Sequence, residues 1–132
     1  MNILSKFIVL FVLLGSNFDS PTVRAKEFFL NAYNGKTMDS EEWLTKKARL
    51  SKFLEPFGGL DAFVRDCAAE VKRNRGIKEI IVIRVHEKEN IYLIEIEVVF
   101  NNNEKSNGID AWTKEDEKWK ITVNPGKKIQ KY

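Results

Sequence analysis

From Gly58 to Val123 the apolar positions of this chain switch from a helical period to a strand period. Leu60, Phe63, Val64, Cys67, Ala68 and Val71 recur at i, i+3 and i+4, which predicts an amphipathic helix over about residues 60–75, ended by Gly76. Alternating runs follow and predict four strands, at about 77–87, 91–101, 108–114 and 118–123. The segments between them, Lys88-Glu89-Asn90, Asn101 through Gly108 and Glu115-Asp116-Glu117, are short and turn-rich. That spacing predicts hairpins, hence an antiparallel meander. Upstream, Ser20-Pro21 opens a helix whose apolar positions are Ala25, Phe28, Phe29, Ala32 and Tyr33, and Asn34-Gly35 closes it. Asp39 with Glu42 three residues later reads as a capping box for a second helix. Its apolar side is Trp43, Leu44, Ala48, Leu50, Phe53 and Leu54; Lys46, Lys47, Arg49 and Lys52 are its basic residues, read as a solvated face in preference to a patch for an anion or an acidic partner. Pro56 and Gly58-Gly59 break the chain before the third helix.

Strand parity assigns faces. One face collects Ile81, Ile83, Val85, Tyr92, Ile94, Ile96, Val98, Phe100, Ile109, Ala111, Thr113, Trp119, Ile121 and Val123, and is expected to pack on the helices. The opposite face collects Arg84, His86, Glu95, Glu97, Asp110, Trp112, Lys114, Lys118 and Lys120, with Ile80, Val82, Leu93 and Val99 among them. On this parity the inward face carries no carboxylate and no histidine. Its polar atoms are the Tyr33 and Tyr92 hydroxyls, Thr113, Cys67 and the Trp119 indole N–H. None of these is a proton shuttle near neutral pH, so the expectation is a protein that is not an enzyme, with no catalytic residues.

Two candidate sites remain. Trp112 sits on the polar face among Arg84, His86, Asp110 and Lys120, the anatomy of an aromatic anchor with a charged rim, and is expected to meet a partner protein or a second copy of the chain. The competing account folds the C-terminal tail, residues 127–132, over the ring. The second site is a cup between helices and sheet lined by Tyr33, Tyr92, Phe100 and Trp119, with Phe29 and Phe63, which would carry a small apolar ligand unless these rings simply fill the core. His86 is the single histidine and the acidic residues lack metal-ligand spacing, so no metal and no cofactor are expected.

Composition narrows the class. With 132 residues and 43% hydrophobic content, the chain is one globular domain. A net charge of +3 from 22 basic and 19 acidic residues is too balanced to suggest nucleic-acid binding. Lys6 followed by the apolar run Phe7 to Leu14 reads as a signal peptide and is too short to span a bilayer, so residues 1–19 are expected to be removed on export to the periplasm or medium. No cysteine follows that run and Cys67 is the single cysteine, which argues against a lipid anchor or an internal disulfide. The domain is placed at residues 20–123 and a basic tail at 124–132.

Three helices before a curved antiparallel meander resemble the nuclear-transport-factor-2-like (NTF2-like), or cystatin-like, superfamily. Within it the chain is similar to small exported bacterial domains of unknown function, the lipoprotein-type, lumazine-binding-like group. The matching features are Ala25-Lys26-Glu27-Phe28-Phe29, Gly58-Gly59, Gly76-Ile77, Ile94-Glu95-Ile96-Glu97-Val98 and Trp119-Lys120-Ile121, across residues 20–123. Two features depart from the pattern: no lipobox cysteine, and Asp116-Glu117 where Asp-Gly is usual. The resemblance implies an α+β fold, three N-terminal helices on a four-stranded sheet, and dimerisation through the sheet. It carries no settled activity. Some relatives of the wider fold are isomerases or dehydratases that use an inward Asp or His.

Overall fold

The computed structural model describes residues 20–52 and 54–124, and of Phe57 the backbone alone. The expected signal peptide, the tail beyond Asn124 and Phe53 therefore lie outside the described residues. Helix α1 spans Pro21–Tyr33, α2 Ser40–Trp43, α3 Lys46–Ser51 and α4 Leu60–Arg73, with a 3-10 turn at Glu55–Phe57. The strands are β1 (Ile77–Lys88), β2 (Ile91–Phe100), β3 (Lys105–Glu115) and β4 (Lys118–Thr122), in the sheet order β1-β2-β3-β4, all antiparallel. This is the expected α+β meander.

Helix α1 starts where Ser20 accepts from the amides of Thr22 and Val23, with Pro21 inside the first turn. It buries Ala25, Phe28, Phe29, Ala32 and Tyr33, the stripe its period predicts. The second helix is shorter than expected. Leu44 and Thr45 leave helical geometry, and the segment between α2 and α3 runs along the edge of β4. Leu44 bridges Ile121 in parallel, Thr45 N–H donates to the Ile121 carbonyl at 2.9 Å, and Thr45 Oγ1 donates to Thr122 Oγ1 at 3.1 Å. Backbone groups that a continuous helix would satisfy internally cap an open sheet edge instead. Asp39 caps α2 through the Glu41 amide, and the Glu42 carboxylate turns to Arg24, 3.5 Å away, so the expected reciprocal capping box does not form. Gly58 has φ +90, and a Cβ there would lie 2.8 Å from that of Ala62, which explains the glycine at the entry to α4.

The faces of β2 are as its alternation predicts: Ile94, Ile96, Val98 and Phe100 are buried. The expected faces of β3 are inverted. Its register pairs Tyr92 with Trp112, Ile94 with Asp110 and Ile96 with Gly108, so Trp112 and Asp110 share the inner face while Ile109, Ala111 and Thr113 point to the outer one. The hairpin loop Asn101–Glu104 sets this register: Phe100 N–H donates to the Glu104 carbonyl at 2.9 Å and Asn103 N–H to the Phe100 carbonyl at 2.8 Å. A one-residue slip would return Ile109 to the core and expel Trp112. Burying an indole outweighs burying an isoleucine, at roughly 25 cal/mol per Å² over about 150–250 Å² of aromatic surface.

Strand β1 departs in its first half. Register shifts fall between Ile77 and Glu79 and between Val82 and Arg84. Ile80 and Val82 oppose Val98 and Ile96 and pack on the core, the reverse of the expected parity; Ile81 opposes Glu97 on the outer face and Ile83 is the extra residue, 41% exposed. After the shift Val85 returns to the inner side, as predicted, but at the sheet edge, 43% exposed.

Candidate functional site

The helix-facing side of the sheet is filled by rings. Phe28 stacks on Phe63 at 5.9 Å and meets Phe29, Trp43 and Trp112 at 5.3, 5.5 and 6.0 Å. Trp112 is fully buried. It is therefore a core residue and cannot be a surface anchor. Its Nε1–H has no hydrogen-bond partner among the described residues. Lys120, expected on the same exposed patch, is also enclosed: its Nζ donates to the Glu41 carbonyl at 2.7 Å beneath α2 and lies 3.9 Å from Asp116. Asp110 is turned inward. Of the five partner-binding candidates only Arg84 and His86 are exposed, on the outer face of β1, where Arg84 Nε donates to Glu95 Oε1 at 2.9 Å.

The four cup candidates form two separate pairs. Tyr92 and Trp119 meet edge to face at 5.3 Å at one end of the sheet, and Tyr33 and Phe100 meet at 5.9 Å at the other. Between them the inner face is occupied by Trp112, Ile94 and Ile96. One continuous aromatic cup is thus not present.

The interior opens at the Tyr33 end. A recess of about 260 Å³ lies between α1, α4 and strands β2 and β3; Phe29, Tyr33, Phe63, Cys67, Glu70 and Ser106 line it, together with Asp66, Ile96, Val98, Asn107 and Gly108. Each position follows from local structure. Phe29 and Tyr33 lie one helical turn apart on the buried side of α1; Phe63, Cys67 and Glu70 run along one side of α4. Gly108 faces the helices from β3, where a Cβ would sit 3.4 Å from the Phe29 ring, so a larger residue would crowd the opening. Tyr33 Oη lies 3.4 Å from both Glu70 Oε1, to which it donates, and Ser106 Oγ.

Burial holds the Tyr33 hydroxyl well above its ordinary range and pushes the Cys67 thiol up to about 12, so both stay protonated near neutral pH. Asp110 stands one inward position beyond Gly108, opposite Ile94, and acts electrostatically on Cys67. Its side chain is only partly exposed, and burial pushes its carboxyl from 3.8 up to about 6. The inner face therefore does contain a titratable carboxyl, contrary to the parity expectation. A second recess, about 360 Å³, lies over the outer side of α4 by Gly35, Asp61 and Arg65 and contains no aromatic ring. Among the described residues no group of His, Cys, Asp and Glu could hold a metal ion, and no helix is long and apolar enough to cross a membrane.

Sequence reasoning missed Glu70, Ser106, Gly108 and the inward side of Asp110. Hairpin register was the available signal. With the β2 faces fixed by alternation, the loop length between Phe100 and Lys105 places even-numbered β3 residues inward.

No family model matches the chain, and no curated protein matches it. Among solved structures it is similar to a Campylobacter jejuni protein described as a "putative NTF2-like transpeptidase", with a TM-score of 0.64 and 24% identity over 80% of this chain and 99% of that one. The likeness shows the fold: the chain shares with that protein the NTF2-like arrangement of helices followed by a four-stranded antiparallel sheet.

Proposed function

We propose that this chain is an exported, non-enzymatic binding domain that holds a small molecule in the recess between α1, α4 and the β2–β3 hairpin. One observation carries the reading: the ring-filled interior opens there onto about 260 Å³ bordered by three aromatic rings and by the Tyr33, Glu70 and Ser106 hydrogen-bonding groups. Concave apolar sites with a few convergent polar groups are where small ligands bind, and this volume is just below the usual range of about 300–1,000 Å³, so the ligand is small. The Lys6 to Leu14 pattern supports export. Transpeptidation, named for the neighbour, finds little support in these residues. Cys67, the one thiol, is pushed up to about 12, and His86, the one histidine, stands on the opposite face of the sheet. The sheet-face partner reading loses its anchor with Trp112 buried.

Asp110 favours one second reading, an acid–base enzyme of the wider fold. A carboxyl raised to about 6 and turned inward is suited to proton transfer. Against it, Asp110 is not among the residues that line the recess.

The test is an amide NMR titration of the full exported chain with a library of neutral, anionic and cationic fragments. The expected result is saturable shifts at Tyr33, Cys67, Ser106 and Gly108 from at least one charge class, without turnover. No shift there from any member would overturn the proposal, and chemical conversion abolished by Asp110→Asn would replace it with the enzyme reading.

A further inference from the structure

We infer that the recess selects small organic cations, such as a substituted ammonium, over neutral or anionic compounds of the same shape. The inference rests on the ligand-binding reading above and adds its charge class. Asp66 and Glu70 border the recess, and no lysine or arginine is in its lining. Asp110 lies behind it on β3, two residues from Gly108 and within electrostatic reach of Cys67. Asp66 is about three-quarters exposed and pairs with the equally exposed Arg65, 3.9 Å away, so solvent screens both charges and the selectivity rests on Glu70. Glu70 forms no ion pair among the described residues; its one described side-chain hydrogen bond is from the Tyr33 hydroxyl.

The walls favour the same class. Phe29 and Tyr33 stack at 6.5 Å with their planes 29° apart, and Phe63 stands at 72° to Phe29. The face of an aromatic ring is the negative part of its quadrupole, so a cation seated against the face of one of these rings is attracted by it. An anion would meet two carboxyl groups and no cation in the lining. A neutral guest would remove water from Glu70 without replacing its hydration. A cation offsets that loss and is attracted by the rings.

The probes are choline and its uncharged carbon isostere, 3,3-dimethylbutan-1-ol, titrated into the full exported chain and followed by the amides of Tyr33, Cys67, Ser106 and Gly108. Choline is expected to bind at least about tenfold more tightly than the isostere. Glu70→Gln should weaken choline several-fold and leave the isostere unchanged, Asp66→Asn, at an exposed and screened position, should have a smaller effect, and Gly108→Val, which fills the opening, should weaken both. Equal or tighter binding of the isostere would overturn the cation inference and leave the ligand-binding reading standing. Choline binding that is insensitive to Glu70→Gln and Gly108→Val would place it elsewhere and overturn the inference. If neither these probes nor any fragment shifts the recess amides, both readings fall.

Discussion

Asp110→Asn should make this protein more stable, and only above a defined pH. Burial raises the Asp110 carboxyl from 3.8 to about 6, so the folded state holds that proton more tightly than the unfolded chain does. Stability linked to the group is complete below pH 3.8, falls as pH rises toward about 6, and is level above that. Ionising a carboxyl held that far above its unfolded value costs the folded state roughly 3 kcal/mol at neutral pH. Partial solvent exposure and the polar amide of the replacement lower this, so a gain of about 1–3 kcal/mol is expected at pH 8. The gain should disappear by pH 4. Urea denaturation of wild type and variant at unit steps from pH 4 to 8 isolates the group, because every other carboxylate titrates equally in both proteins. A difference that does not change with pH, or a variant more than 1 kcal/mol less stable at pH 8, would refute the argument. A charge held at such an expense is characteristic of sites where stability is exchanged for function.

Ile96 is almost fully buried between the helices and β3, so Ile96→Ala should destabilise by about 2–5 kcal/mol through the cavity it leaves; a loss under 1 kcal/mol on denaturation would contradict the assigned faces of β2. Asp116 and Glu117 both adopt left-handed geometry, with φ 55 and φ 65, in the two-residue turn between β3 and β4. Glu117→Gly should therefore raise thermal stability by about 0.5–1 kcal/mol, and a lowered melting temperature would show that Glu117 makes a stabilising contact in that turn.

The sequence is legible where one interaction dominates and misleading where two compete. Helices α1 and α4 follow their apolar period because no other element claims those residues. The β2 faces are legible for the same reason: Ile94, Ile96 and Val98 alternate with glutamates. In β3 hydropathy offers Ile109 and Ala111 as the inner set, and against them stands a single Trp112 accompanied by Asp110 and Lys114. Counting apolar residues favours the first set; summing buried area and honouring the register of the Asn101–Glu104 loop favours the second. In β1 the extra residue at Ile83 reverses parity midway, and no local signal marks it. Lys120 reads as solvent-facing because the group that encloses it, the Glu41 carbonyl of α2, is distant in sequence. Two of these errors, at Asp110 and Lys120, place outside a polar group that tertiary pairing encloses, and Asp110 is the group that changes the chemistry of the interior. An assignment of strand faces that starts from hairpin register and then checks hydropathy would have brought Asp110, Gly108 and Ser106 to the same side as Tyr33 and Cys67. The recess would then have followed from the sequence.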